Sequence, residues 1–203
     1  MKKFQLQASG EEMKEILLAL DIGNVCVRIN QANFSSALGI ENIPEELKLL
    51  ARDYEWGLVP DEKSFVGRGR ELLGNRFSES ELLAAFDSIL IEPMPGMSCL
   101  AADFQKMGVK AVFFSDISPT HLRRTQKLAP EICSRCAGGV FSFDAGAWKP
   151  SAAMFERFEK LYGVPDIYVD DRIDLIEAAK LRPWNAHQFA GAEDLREKLL
   201  SLG

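Results

Sequence analysis

Reactive polar residues stand at the ends of successive apolar runs. Asp21 follows the run 16–20 in Leu20-Asp21-Ile22-Gly23-Asn24-Val25, and Ser115 follows 109–114 in Phe113-Phe114-Ser115-Asp116. Asp170 and Asp171 follow Tyr168-Val169, and Lys149 lies in Trp148-Lys149-Pro150, just ahead of a helical pattern. An activated carboxylate is a nucleophile. Three carboxylates aimed at one crevice repel one another, and without compensation at least one stays protonated. A divalent cation relieves that repulsion. Magnesium suits best, because it takes oxygen ligands, keeps several waters, and needs only a couple of carboxylates plus a substrate phosphate. Lys149 adds a fixed positive charge beside the nucleophile, and Ser115 offers its hydroxyl and the neighbouring amides to phosphoryl oxygens.

Taken singly, each of these residues has a plainer explanation. An Asp after a strand caps a helix, a Ser there turns the chain, and a Lys before Pro is a solvated charge. Their order on successive strand ends is what makes a site of them, since ligands of an open parallel sheet bind at the carboxyl ends of its strands. Segments 16–20, 109–114, 140–143, 166–169 and 186–189 read as buried strands. Helical patterns fill 98–107, 119–128, 151–162, 173–181 and 193–202. This alternation predicts an α/β, Rossmann-like core, a parallel sheet flanked by helices. The stretch 31–95 breaks the rhythm with helices and no strands: 44–56 opens on proline and two glutamates, 61–73 follows a turn, and Ser78-Glu79-Ser80-Glu81 is a capping-box signal. The expected division is therefore a core of 1–30 and 96–203 with a small helical cap, 31–95, inserted after the first strand. Residues before Glu15 read as a peripheral extension.

With 203 residues, 47% hydrophobic and 27% charged, the chain suits one compact domain with a modest insertion. Net charge is −6 and basic residues are dispersed among acidic ones, so neither a nucleic-acid nor a membrane surface is expected. The apolar run 16–20 is too short to span a bilayer. With no export signal the expected location is cytoplasmic, where the four cysteines stay reduced. Cys133 and Cys136 form a lone C-x-x-C that reads as two small residues in a helix-to-strand connection. His121 and His187 lack metal-ligand spacing, and no phosphate-binding glycine motif follows a strand.

In order, the four segments resemble the four motifs of the haloacid dehalogenase-like superfamily, and the resemblance extends over nearly the whole chain from Glu15 onward. The form Asp21-Ile22-Gly23-Asn24-Val25, with Lys149-Pro150 and Asp170-Asp171, is similar in particular to a bacterial branch that includes an alpha-glucose-1-phosphate phosphatase. Tyr54-Glu55-Trp56-Gly57, followed by Asp61-Glu62-Lys63-Ser64-Phe65, looks like the helical cap of that branch. The resemblance implies a magnesium-dependent phosphatase acting on a small phosphorylated metabolite, with a sugar phosphate as one candidate. It implies that Asp21 attacks phosphorus in line and that water hydrolyses the phosphoaspartate. Magnesium would be held by Asp21, the Gly23 carbonyl and Asp171, with Asp170 bound directly or through water. Gly23, Asn24, Ser115, Asp116 and Lys149 would surround the substrate, the last with Ser115 holding phosphoryl oxygens. Asp174 either orients the acidic loop or is a solvated first-turn acid.

Two positions depart from the family pattern. Most of its phosphatases carry a second Asp two residues after the nucleophile, which protonates the leaving oxygen; here that residue is Gly23. Acid–base help is worth about two to four powers of ten in rate, so slow turnover or a preference for acidic leaving groups is expected. Glu55 is an alternative proton source, although its helix position reads more simply as a surface glutamate. Asp116 replaces a common Asn and would repel a bound phosphate unless it turns away. In the cap, Tyr54, Trp56, Phe65, Arg68 and Arg70 are candidates for substrate contact; Tyr54 and Trp56 read first as packing residues, and Arg68 and Arg70, flanking Gly69, read first as solvent-exposed, with one of them a candidate partner for an anionic group. Two other readings stay open: a metal-independent dehalogenase, which does not need the doubled aspartate, and a non-catalytic relative that binds a phosphorylated ligand or a protein. The sequence sets neither the substrate nor the oligomeric state.

Overall fold

The computed structural model describes residues 15–203; the expected peripheral extension lies outside them. The chain enters through strand β1 (Ile16–Leu20), then β2 (Val27–Ile29), and continues into helices α1 (Ala32–Leu38), α2 (Glu45–Glu55), α3 (Glu62–Leu72) and α4 (Glu79–Asp87). Strand β3 (Leu90–Pro93) leads back to α5 (Met97–Asp103), β4 (Val109–Ser115), α6 (Pro119–Leu128), the short α7 (Pro130–Cys133) and β5 (Cys136–Phe141). The remainder is α8 (Ser142–Ala145), α9 (Ala152–Tyr162), β6 (Ile167–Asp170), α10 (Ile173–Lys180), β7 (Ala186–Gln188) and α11 (Ala192–Leu200).

The core is a parallel five-stranded sheet in the order β5-β4-β1-β6-β7. Alternate side chains of a strand go to opposite faces, and the two buried clusters follow that period. Ile16, Leu18, Leu20, Ala111, Phe113, Ile167 and Val169 pack under α5 and α11, with Leu100, Phe104, Leu195 and Leu199. Ala19, Val112, Phe114 and Tyr168 pack on the other face with Phe155 and Phe158 of α9 and Ile176 of α10. The fold is α/β with helices on both faces of a parallel sheet, as the alternation predicts. No helix of the described residues is long and apolar enough to cross a membrane.

The inserted segment has its own core, in which Leu47, Leu50, Tyr54, Phe65, Leu82 and Phe86 are buried together. Its helices start where the sequence provides caps: Asp61 accepts from the Ser64 amide at 2.7 Å, and Ser78 and Glu81 form the reciprocal capping box. One expectation fails here. The stretch 31–95 contains a strand, β3, which pairs antiparallel with β2 at Val27↔Pro93 and Ile29↔Leu90. Both strands are too short for any period to show, and a proline within the run argues against a strand. The third core strand in chain order is also displaced from 140–143: β5 starts at Cys136, where Gly138 and Gly139 obscure a strand pattern, and the chain leaves the sheet at Ser142. Cys133 and Cys136 are free thiols flanking the turn between α7 and β5.

Candidate active site at the sheet switch point

Register places the reactive residues. Leu20 of β1 is level with Phe113 of β4 and with Val169 of β6, so Asp21, Ser115 and Asp170 emerge at the same edge. β1 is also where strand order reverses, β4 and β5 going to one side and β6 and β7 to the other; ligand crevices form at such switch points.

Asp21, Asp170 and Asp171 each present an oxygen, and the three oxygens lie within 4.8 Å of one another. Lys149 is 5% exposed, and its Nζ donates to Asp21 Oδ1 at 2.7 Å, Asp170 Oδ2 at 2.6 Å and the Phe114 carbonyl at 3.1 Å. Burial opposes the lysine's charge, but Asp21, Tyr168, Asp170 and Asp116 outweigh it and hold Lys149 well above the usual lysine range. Burial pushes the Asp21 carboxyl up to about 7, lowered by Lys149 and raised by Asp170, while Ser115 hydrogen-bonds to it. Burial raises Asp171 as well, against the Asn24 hydrogen bond. A single ammonium facing three carboxylates leaves surplus negative charge, and that donor set suits a hard divalent cation.

Supporting contacts explain how the groups are held. Tyr168 precedes Asp170 by two residues and so shares its strand face; its hydroxyl donates to Asp170 Oδ2 at 2.5 Å, while Asp170 Oδ1 accepts the Arg172 amide at 3.0 Å. With Lys149 and Tyr168 on one oxygen and the Arg172 amide on the other, Asp170 is the fully buried anchor of the lysine. Asn24 sits in the left-handed region at φ 51°, which Asn tolerates better than most residues. Its Nδ2 donates to Asp171 Oδ2 at 3.0 Å, its Oδ1 accepts the Ile29 amide at 3.1 Å, and its own amide donates to the Val27 carbonyl. Asn24 thus ties the β2 turn to Asp171. Asp116 Oδ1 accepts the Lys149 amide at 3.0 Å, which turns that carboxylate toward the lysine loop.

A crevice of about 490 Å³ is lined by Asp21, Gly23, Lys149, Asp170 and Asp171 from the core and by Arg52, Glu55 and Trp56 from α2 and its end. It adjoins an inner cavity of about 280 Å³, walled largely by apolar residues of the inserted segment, including Phe34, Leu47, Phe65 and Phe86. Gly23, Ile29, Gln31, Arg52, Glu55 and Asp116 line both.

No protein-family model and no curated protein matches the chain. Among solved structures, an HAD family enzyme of Bacteroides thetaiotaomicron, in complex with magnesium and inorganic phosphate, superposes with a TM-score of 0.78 at 20% identity, covering 91% of this chain and 99% of that one. A predicted HAD-like family hydrolase of Porphyromonas gingivalis gives 0.75 at 17% identity, over 93% and 97% of the two chains. The fold is that of the haloacid dehalogenase-like hydrolases. An L-2-haloacid dehalogenase of Xanthobacter autotrophicus with covalently bound chloropropionic acid shares it more distantly, with a TM-score of 0.60 at 17% identity over 93% and 83%.

Within this haloacid dehalogenase-like fold, Asp21, Gly23, Asn24, Ser115, Asp116, Lys149, Asp170 and Asp171 all gather at the switch point. The cap candidates divide. Tyr54 and Phe65 stack in the cap core with ring centroids 4.7 Å apart, and Phe65 also lines the inner cavity. Trp56 lines the crevice and stacks on Trp148. Arg68 is exposed, and Arg70 is spent on the Phe77 carbonyl and Glu79; neither lines a cavity. Besides Lys149, the cations that line the crevice are Arg52 and Arg172, which the sequence reading missed. Arg52 falls one turn before Glu55 on the same helix face, but nothing local in the sequence says that this face docks over the crevice. Asp174 pairs with Arg172 at 2.6 Å on the surface. Glu55 is the other difference: it is half-buried over the crevice instead of lying on a free helix face. Burial and the nearby Asp116 charge push its carboxyl up to about 8. His121 is a satisfied core histidine, bonded through Nε2 to the Phe86 carbonyl at 3.0 Å.

Proposed function

We propose that the protein is a magnesium-dependent phosphatase of small phosphorylated metabolites, working through a phosphoaspartate on Asp21. One observation carries this reading: three carboxylates from two neighbouring strand ends converge within 4.8 Å, and a buried lysine bridges two of them. Magnesium and phosphate in the Bacteroides thetaiotaomicron enzyme of the same fold support it. Asp21, the Gly23 carbonyl and Asp171 would hold the cation, with Asp170 acting on it through water, because its oxygens already serve Lys149, Tyr168 and the Arg172 amide. When bound, the cation would neutralise the carboxylates and draw charge from the phosphoryl oxygens.

In this reading the Asp21 carboxylate attacks phosphorus in line, and water later attacks the same phosphorus and frees Asp21. Ser115 and Lys149 orient and neutralise the phosphoryl oxygens, donors fixed in place before the reaction. Asn24 and Asp116 are positioning residues, the first for Asp171 and the second for the Lys149 backbone. The alcohol portion faces the inner cavity, whose apolar walls favour an alcohol with a hydrophobic portion over a bare sugar.

The dehalogenase of this fold is the second reading that a specific observation bears on. Asp171, held by Asn24 beside Asp21, favours the metal-dependent chemistry, because a dehalogenase has no use for the extra acidic ligand. The deciding experiment measures inorganic phosphate released from a panel of aryl, alkyl and sugar monoesters with and without magnesium, with Asp21→Asn as control. Magnesium-dependent release that vanishes in Asp21→Asn is expected; chloride release from 2-chloropropionate without magnesium would overturn the assignment.

A further inference from the structure

We infer that Glu55, on the cap helix α2, is the general acid that protonates the leaving oxygen in place of the carboxyl that Gly23 lacks. The inference rests on the phosphatase reading above and adds a residue to it. Three kinds of observation converge on Glu55.

The first is placement. Glu55 lines both the crevice that holds Asp21 and Lys149 and the inner cavity that would take the alcohol, so it borders the junction where the ester oxygen must lie. The second is anchoring. Every residue from Tyr54 to Gly57 is fastened to the core. The Tyr54 hydroxyl is 2.9 Å from Thr120 Oγ1, and the Glu55 carbonyl accepts from Ser142 Oγ at 2.5 Å. Trp56 stacks on Trp148, and Gly57, at φ +74°, sits so close to the Phe143 carbonyl that an added Cβ would meet that oxygen at 2.2 Å. The backbone that carries Glu55 is thereby tied to the core, which keeps its side chain at the crevice, as acid catalysis requires. The third is chemical state. No described residue hydrogen-bonds or ion-pairs with the Glu55 carboxyl. The charged or titratable groups that share its cavities are Arg52 and Lys48 on its own helix, Asp116, the core histidine His121, and across the crevice Asp21, Lys149, Asp170, Asp171 and Arg172. With burial and Asp116 acting on it, its carboxyl is pushed up to about 8, so it carries a proton at neutral pH. Asp116 is the competing acid, but its Oδ1 is engaged by the Lys149 amide.

The step balances. As Asp21 forms its bond to phosphorus and the bond from phosphorus to the ester oxygen breaks, the Glu55 proton passes to that oxygen and the alcohol departs, leaving Glu55 as carboxylate. Water then attacks the phosphoaspartate, Glu55 takes the proton released, and both carboxyl groups return to their starting states.

The test compares two esters of similar size, 4-nitrophenyl phosphate, whose leaving group needs no proton, and benzyl phosphate, whose leaving group does. Glu55→Gln should lower kcat/KM for benzyl phosphate by about 10²- to 10⁴-fold and for 4-nitrophenyl phosphate by less than about fivefold. Because kcat/KM stops at the first irreversible step, the comparison reads the acid and not the later base. In the wild type, the benzyl to nitrophenyl ratio of kcat/KM should fall as pH rises through about 8, where Glu55 ionises, and ionisations common to both substrates cancel. An equal loss on both esters in Glu55→Gln, or a wild-type ratio flat in pH, overturns the acid role and leaves the phosphatase reading standing. Absence of magnesium-dependent phosphate release from either ester by the wild type overturns that reading and the inference with it. Should Glu55→Gln not fold, the wild-type ratio decides alone.

Discussion

Trp56 lies flat on Trp148, ring centroids 3.7 Å apart and planes 8° from parallel. One ring belongs to the end of helix α2 and the other precedes Lys149, so the contact that seats α2 also steadies the loop bearing Lys149. Trp56→Ala should lower unfolding free energy by about 1–3 kcal/mol, less than a fully buried Trp costs because this one is half-buried. It should also raise KM more than it lowers kcat, since the stack shapes the crevice wall without touching the reacting atoms. Urea titration together with steady-state kinetics checks both; unchanged stability would mean that the stack does not hold the cap.

Lys149 makes the most consequential pairing in the core. Removing it strands Asp21 and the fully buried Asp170 without their shared cation. Breaking such a pair costs about 3–5 kcal/mol, so Lys149→Met should be destabilised by that much at pH 8 in metal-free buffer. The gap should narrow on acidification, because protonating the stranded carboxylates removes the uncompensated charge. Denaturant unfolding at pH 8 and pH 5.5 tests this, and a gap independent of pH would show that packing, not charge, dominates.

Magnesium binding is testable through stability alone. A cation that binds only the folded chain adds RT ln(1 + [L]/Kd), about 2.7 kcal/mol at one hundred times Kd. The wild type should gain thermal stability on titration with magnesium chloride. Asp171→Asn, which removes one charge of the triad, should need at least about tenfold more for the same gain. Equal titration curves for the two proteins would place the cation elsewhere.

Gly23 leaves room for the carboxyl that it lacks. A Cβ built there lies 3.5 Å from Ile29 Cδ1 and 3.8 Å from Asp21 Oδ2, ordinary contact distances, and its φ is not in the left-handed region. Gly23→Asp should therefore fold, and in the Glu55→Gln background it should recover benzyl phosphate turnover by about tenfold or more. Measured kcat/KM of the single and double variants decides the point; a double variant no faster than the single would show that the proton must come from the cap side.

These residues differ in how readable they were from the chain. Asp21, Ser115 and Asp170 end strongly apolar strands, and parallel register alone brings strand ends together, so their convergence followed from pattern. Tyr168 was readable in principle, being two residues before Asp170 on one strand face. Glu55 and Arg52 were not, because helix α2 meets the core through contacts with residues some 66 to 87 positions away, Thr120 and Ser142, and no local period encodes that docking. The β2–β3 ribbon escaped for another reason, being two strands of 3 and 4 residues whose pairing crosses the whole insertion.

Glu55 has a last consequence that needs no substrate. Its folded-state pKa of about 8 lies above its ordinary value of 4.5, so between those pH values the folded chain binds a proton that the unfolded chain has released. Stability from this group is therefore complete below about pH 4.5, declines as pH rises, and is fully lost above about 8. Glutamine mimics the neutral acid at every pH. Glu55→Gln and wild type should then unfold at similar denaturant concentration near pH 5, with the variant progressively more stable up to pH 8 and the difference constant beyond. Partial exposure of the side chain screens the effect, so its direction and its plateau are the observables. A variant uniformly less stable than wild type across this range would show that the Glu55 carboxylate is held charged by a favourable partner, and the protonated acid on which the proposed proton transfer depends would not exist.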